Sequence, residues 1–360
     1  MRVAFRVDAS LRIGSGHVMR CLVLADRLRA AGASCHFVMR EHEGHLGSTV
    51  KQRGHEVKLL ARNEEAPATT GYATWLGAAW ETDAAEALAL LSGGGFDWLV
   101  VDHYGLDQTW ETRLKGAAKH LLVIDDLANR PHQGELLLDQ NLGREERDYF
   151  ALVPADTHLM IGPRFAMMQR GFSELRARAL ARRRKSSFPQ RLLISLGGVD
   201  ADNMTGLVLC LLAGRPPAGI GSVDVVLGKH APHQHVVQKA LHTLGIPGHL
   251  HVDTPHMARL VADADLAIGA AGVSAWERCA LGLPTLLVLL AENQRAGAQA
   301  LERVGAGFWL GEGEQIAARW SLAWERVLEP ETYQRMQNSA ASITDGLGAD
   351  RVVAAMREFS

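Results

Sequence analysis

The sequence predicts two α/β domains in tandem, each a mostly parallel sheet covered by helices. Three observations carry this. The chain has 360 residues, more than a single hydrophobic core usually organises. Short apolar runs alternate with amphipathic segments through the first half, the pattern of strands joined by crossover helices. That alternation breaks between Arg176 and Gln190 and then restarts.

In the first half, Arg2–Val7 reads as a strand and Val18–Ala30 as a helix, because Val18, Cys21, Leu22, Ala25 and Leu28 recur at helical spacing and Gly32 follows as a stop. Strands are expected at His36–Met39, Glu56–Leu60, Trp98–Asp102, Leu121–Asp125, Leu136–Asp139 and His158–Ile161, with a helix around Trp75–Leu91. The basic run Arg182–Lys185, two serines and Pro189 read as a polar, solvated connector. Beyond it, strands are expected at Arg191–Leu196, Val223–Leu227, Leu250–Val252, Leu266–Gly269 and Thr285–Leu289, with a helix at Met204–Leu212. The expected domains are residues 1–175 and 190–345, followed by a C-terminal segment 346–360.

Composition narrows the function classes. Hydrophobic residues make up 47% of the chain and charged residues 22%, the balance of a folded globular protein. A formal charge of −2 supplies no global field for nucleic acid or an acidic membrane. The longest apolar stretch, Leu281–Ala291, is interrupted by Gly282 and Pro284 and is too short to span a bilayer. The N-terminus lacks the features of a signal peptide. Cys21, Cys35, Cys210 and Cys279 are scattered without metal or disulfide spacing, which fits a reducing, cytoplasmic compartment.

Four motifs could carry chemistry. Gly14-Ser15-Gly16-His17 lies between the opening strand and its helix, where small residues permit close backbone approach and the helix start offers free N–H groups. A histidine there stands at the carboxyl end of a strand, where open α/β sheets bind ligands; a glycine turn beside a partly buried histidine is the alternative. The second motif is Gly269–Glu277 (GAAGVSAWE), again opening a helix after a strand. It suits a diphosphate on backbone N–H groups, with Glu277 receiving ribose hydroxyls. Ser274 and Glu277 also have capping-box spacing, and both readings stay open. Gly197-Gly198 suits phosphate approach or a plain turn. Asn293-Gln294 suits a base, a sugar or a helix cap.

Weaker candidates are Asp102-His103-Tyr104, Asp125-Asp126 and His132, which could face the same crevice as His17. The H-x-H pairs His233/His235 and His249/His251 read as loops and strand faces rather than metal ligands. The D-x-D patterns Asp200/Asp202 and Asp263/Asp265 read as a helix cap and a strand entry, so neither a metal nor another cofactor is expected.

Taken together, Arg6-Val7-Asp8-Ala9-Ser10, Ile13–His17, Met19–Leu22, Asp102-His103-Tyr104, Asp125-Asp126-Leu127, Pro131-His132, Leu136–Gly143, Gly162-Pro163, Phe165-Ala166, Gly197–Asp200, Trp276–Arg278 and Asn293-Gln294 run in order along nearly the whole chain. This set resembles the nucleotide-sugar hydrolase family of pseudaminic acid biosynthesis, which acts on UDP-2,4-diacetamido-2,4,6-trideoxy-β-L-altropyranose. The resemblance implies the two-domain GT-B fold of the MurG type, two Rossmann-like domains facing a cleft. It implies His17 as the catalytic histidine and a sugar side formed by Arg6, Asp8, Gly14, Ser15, Gly16 and Tyr104. On the UDP side it implies Gly197, Gly198, Ala271, Gly272, Ser274, Glu277, Asn293 and Gln294. Residues 346–360 would pack back across the first domain, and the cleft would close through a hinge near Arg176–Gln190. Expected partners are the UDP-sugar and other enzymes of the sugar pathway. Where relatives often carry serines and threonines, this chain has Gly269–Val273, leaving phosphate contact to backbone N–H groups. A GT-B glycosyltransferase and a non-catalytic UDP-sugar binding protein are the alternatives.

Overall fold

The computed structural model describes residues 1–62, 70–214 and 217–359. The chain divides into two compact units, Met1–Met167 joined by the C-terminal residues from Gly348 on, and Met168–Leu347.

The first unit is built on seven parallel strands: β1 (Arg2–Val7), β2 (Ser34–Arg40), β3 (Glu56–Leu60), β4 (Phe96–Asp102), β5 (Ala118–Ile124), β6 (Leu136–Asp139) and β7 (His158–Ile161). Their spatial order is β3-β2-β1-β4-β5-β6-β7. Strand alternation sorts the side chains of β1. Val3, Phe5 and Val7 enter one core with Val18 and Leu22 of the helix Gly16–Ala30. Ala4 enters the other, with Ala84, Ala87 and Trp110. The C-terminal helix Gly348–Glu358 places Val352, Val353 and Met356 in the first of these cores.

The second unit carries β8 (Arg191–Ser195), β9 (Ser222–Leu227), β10 (Gly248–Val252), β11 (Leu266–Ala270), β12 (Thr285–Val288) and β13 (Gly307–Gly311). These are also parallel, in the order β10-β9-β8-β11-β12-β13. In each sheet the order reverses beside the first strand, between β1 and β4 in one and between β8 and β11 in the other. Such a switch point opens a crevice at the carboxyl ends of the two strands.

The structure departs from the sequence reading in three places. The segment expected to be a solvated connector is largely the helix Arg170–Arg183, part of the second unit. Two of its arginines point inward, while Arg170 and Arg178 stay at the surface. Arg183 is 1% exposed and donates to the carbonyls of Val261, Ala262 and Gly282. Arg176 donates to those of Ala280, Ala341 and Thr344. The guanidinium groups thus satisfy carbonyls that helix ends leave free. Second, the helix expected around Trp75–Leu91 is a 3₁₀ turn, Gly71–Leu76, followed after a break by the helix Trp80–Leu91. Third, β13 and the helices Gly47–Gln52, Gln108–Arg113, Gln234–His242, Met257–Asp263, Arg295–Arg303, Glu314–Leu328 and Pro330–Ile343 are additional elements. No helix among the described residues is long and apolar enough to cross a membrane.

Candidate functional site

The pairing of β1 with β4 sets Val7 beside Asp102, so the loop after β1 and the end of β4 share the crevice of the first unit. His17 enters it from the first turn of the helix Gly16–Ala30. Its Nδ1 lies 2.6 Å from Asp102 Oδ1. Arg20, three residues on and therefore on the same helix face, grips Asp102 from the other side. Its Nε and Nη2 donate to the two carboxylate oxygens, each at 2.6 Å. Burial alone would raise the Asp102 carboxyl. The Arg20 charge and the hydrogen bonds from Arg20 and His17 outweigh it and hold the group far below the usual carboxylate range. An ionised Asp102 at 2.6 Å requires the proton on His17 Nδ1. In the neutral ring Nε2 then carries the lone pair, and it has no partner among the described residues.

Arg20 Nη1 also donates to Asp126 Oδ2 at 2.7 Å, and the Tyr104 hydroxyl donates to the same oxygen at 2.8 Å. The Tyr104 ring stands edge-on to His17, with centroids 4.6 Å apart. Burial, with Asp126 adding to it, raises the Tyr104 hydroxyl well above its ordinary value, so it is a donor and not a base. The geometry therefore offers a single neutral acceptor, His17 Nε2, oriented by a carboxylate whose charge Arg20 balances. That is the arrangement of a general base.

Of the other residues expected here, Ser15 and Gly16 are exposed at the helix start, and Gly14 adopts a left-handed φ of +81°. Arg6 does not reach the crevice. It is fully enclosed, paired with Asp8 at 2.8 Å and with Asp83 at 2.6 Å. Strand alternation turns it toward the helix Trp80–Leu91, so it supports the sheet end rather than touching a ligand. Asp8 is likewise buried and accepts the Arg40 backbone N–H at 2.6 Å. His132 is buried against Glu111 at 2.7 Å and serves the neighbouring loop. Arg20 had no role assigned from sequence; its spacing from His17 was the available signal.

In the second unit, the loops after β8, β11 and β12 gather the expected nucleotide residues at the switch point. Gly197 and Gly198 are exposed, with Gly197 at φ +90°. The loop after β11 is held from below by Arg278, which donates to the Ala270 carbonyl at 2.5 Å, to Ser274 Oγ at 3.1 Å and to Thr285 Oγ1 at 3.1 Å. Burial pulls the Arg278 guanidinium down to about 10. A Cβ at position 269 would lie 2.7 Å from that guanidinium, so a larger residue there would displace Arg278. Ser274 is thus committed to Arg278 and caps no helix, which removes the capping-box reading. The helix Ser274–Ala280 has only seven residues, so its dipole is small. The N–H groups of Gly272 and Val273 are left without partners among the described residues.

Glu277 has no hydrogen-bond or ion-pair partner among the described residues, and burial pushes its carboxyl up to about 7 despite the neighbouring Arg278. Gln294 accepts the Leu290 N–H through Oε1 at 3.4 Å, and its amide lies close enough to Gly272 that a Cβ there would stand 3.3 Å from Nε2. Asn293 is exposed beside it. Asp200 accepts the N–H groups of Met204 and Thr205 and so caps a helix. Asp265 holds Arg182 and the backbone of Gln190 and Arg191. His251 pairs with Asp224. Among the described residues no group of three or more His, Cys, Asp or Glu is placed to hold a metal.

No family model matches the sequence. The chain is similar to a UDP-2,4-diacetamido-2,4,6-trideoxy-β-L-altropyranose hydrolase of Campylobacter jejuni, 24% identical over 309 residues, which cover 85% of this chain and 97% of that protein. It is 28% identical over 174 residues to the spore coat polysaccharide biosynthesis protein SpsG of Bacillus subtilis, covering 47% and 50% of the two chains. It is 22% identical over 300 residues to an uncharacterized protein of Methanocaldococcus jannaschii, covering 82% and 57%. The chain thus spans little more than half the length of the last two relatives. Among solved structures, MurG of Acinetobacter baumannii superposes with a TM-score of 0.70 over 99% of both chains at 13% identity. The spinosyn rhamnosyltransferase SpnG bound to thymidine diphosphate gives 0.64 over 98% of this chain and all of that one, at 15% identity. The fold is that of the GT-B glycosyltransferases.

Proposed function

We propose that the chain is a metal-independent nucleotide-sugar hydrolase of pseudaminic acid biosynthesis. It would cleave the anomeric C–O bond of UDP-2,4-diacetamido-2,4,6-trideoxy-β-L-altropyranose and release UDP and free sugar. The observation that carries this reading is His17, with Nδ1–H committed to Asp102 and Nε2 free at a switch-point crevice. The sequence similarity to a hydrolase of that substrate supports it. Water attacks the anomeric carbon on the face opposite UDP while Nε2 takes its proton. The C–O bond breaks with its electron pair going to the diphosphate, and the configuration inverts. Asp102 keeps the tautomer in place and stabilises the imidazolium that forms.

On this reading the second unit holds the leaving group. The unpartnered N–H groups of Gly272 and Val273 meet phosphate oxygens, with Gly197-Gly198 and Ala271 alongside. Glu277 accepts ribose hydroxyls, and Asn293 and Gln294 read the base. Tyr104 and the Gly14–Gly16 turn face the sugar. A positioned base contributes about 10²–10⁴-fold, so His17→Ala loses that much in kcat while UDP binding is little changed. NMR of the protein with the UDP-sugar in plain buffer tests the assignment. Stoichiometric free sugar of inverted configuration is expected.

The glycosyltransferase neighbours favour one second reading. There the same nitrogen would deprotonate an acceptor hydroxyl, and turnover would depend strictly on adding that acceptor.

A further inference from the structure

Beside His17 stands a group of rings that the reaction as described does not use. Trp75 stacks on Tyr104, with centroids 5.5 Å apart and planes 25° from parallel, and meets His17 edge-on at 6.3 Å. Tyr72 packs edge-on to Trp75 at 4.8 Å and to Tyr104 at 5.0 Å. Packing alone does not account for them. Trp98, Trp110 and Trp320 are each at most 1% exposed, whereas Tyr72 and Trp75 stay half-buried. Neither the Tyr72 hydroxyl nor the Trp75 indole N–H has a partner among the described residues. Aromatic rings that keep one face and a polar tip open are suited to binding a ligand that is apolar on one side and polar on the other.

The wall is also held in place at both ends by close backbone approach. A Cβ at Gly105 would lie 2.9 Å from the Tyr72 carbonyl, and one at Gly77, whose φ is +67°, would lie 2.6 Å from the His42 ring. The 3₁₀ turn Gly71–Leu76 is therefore seated on the ends of the sheet strands.

We propose that Tyr72 and Trp75, with Tyr104, form the subsite that selects the sugar, favouring a 6-deoxy, N-acylated hexose over a fully hydroxylated one. The inference rests on the UDP-sugar hydrolase reading. The Tyr72 and Trp75 rings, backed by the buried Tyr104, meet the C–H edge, the C6 methyl and the acyl methyl groups, while the Tyr72 hydroxyl and the indole N–H serve amide or ring oxygens. A 6-hydroxyl pressed on the same wall would lose its water without a partner.

The test uses the full chain. Trp75→Ala should raise KM for the UDP-diacetamido-6-deoxy sugar about 10-fold with a smaller change in kcat. It should lower the preference over UDP-N-acetylglucosamine by a similar factor and leave the inhibition constant of UDP within twofold. Trp75→Phe should retain most of the affinity. The free diacetamido sugar, without nucleotide, should change the fluorescence of the wild-type protein and not that of Trp75→Phe. An unchanged KM in Trp75→Ala overturns the proposal, as does an equal loss of UDP affinity. Should Trp75→Ala not fold, the fluorescence comparison decides alone, and no difference between wild type and Trp75→Phe overturns it. A wild-type protein that hydrolyses no UDP-sugar refutes the proposed function, and the free-sugar titration still decides the wall.

Discussion

Replacing Glu277 by Gln should make the second unit more stable and its nucleotide site worse. The carboxyl is pushed from 4.5 to about 7 by burial, which corresponds to roughly 3 kcal/mol against the ionised form. The side chain keeps part of its solvent contact, so the net figure is nearer 1–2 kcal/mol. Below pH 4.5 the group is neutral in folded and unfolded chains, and the penalty vanishes. Between pH 4.5 and 7 the unfolded chain ionises first, so stability falls as pH rises. Above pH 7 the full penalty applies. Glu277→Gln removes it. At roughly 2–4 °C per kcal/mol for a unit of this size, thermal unfolding at pH 8 should move up by about 2–8 °C, with little change at pH 5. On the proposed reading the same substitution replaces a charged acceptor for ribose hydroxyls with a neutral amide oxygen. A hydrogen bond to a charged group is worth about 1.5–3 kcal/mol and one to a neutral group about 0.5–1.5, so UDP affinity should drop about 5- to 10-fold. In the wild type it should weaken as pH falls below 7. Calorimetric titration of UDP and melting curves at the two pH values, on both proteins, measure every term. A Gln variant no more stable at pH 8, or one that binds UDP as tightly as the wild type, refutes the argument.

Asp102→Asn should cut kcat by about 10²–10⁴-fold, because an amide can donate to His17 Nδ1 and move the ring proton to Nε2; a pH–rate profile of normal height would sink the base assignment. Gly269→Ala forces the Arg278 guanidinium off its three acceptors and should destabilise the second unit by about 1–3 kcal/mol, read from denaturant unfolding. Treatment with EDTA should leave hydrolysis unchanged; activity lost to the chelator and restored by Mg²⁺ or Mn²⁺ would reverse the metal-free reading. A fragment of residues 168–347 should fold and bind UDP, whereas one starting at residue 190 should fail in circular dichroism melts, because it lacks Arg176 and Arg183 and their carbonyl contacts.

Much of the architecture was legible in the chain because the inner parallel strands are buried and read as apolar runs, and short turns bound the edge strands. Arg2–Val7, Glu56–Leu60, Leu136–Asp139 and His158–Ile161 appear in the structure at the bounds their composition suggests. β13 was not legible. It is five residues with glycine at each end, too short and too permissive to stand out. The arginine-rich segment around Arg176–Lys185 misled for another reason. Composition registers charge, whereas the carbonyls that make an inward arginine favourable come from residues about 80 to 170 positions away.

The sequence by itself determined which segments alternate as strand and helix, and that glycine-rich turns follow β1, β8 and β11, since these depend on local pattern and backbone freedom. Only the tertiary structure decided which side chains meet. Strand order brought Asp102, 85 positions away, onto His17. The side to which β1 turns Arg6 removed that residue from the crevice. The seating of Gly71–Leu76 against Gly105 set Trp75 beside the base. Partners distant in sequence leave no periodic trace, so the site's chemistry became visible only when the sheet placed the strand ends side by side.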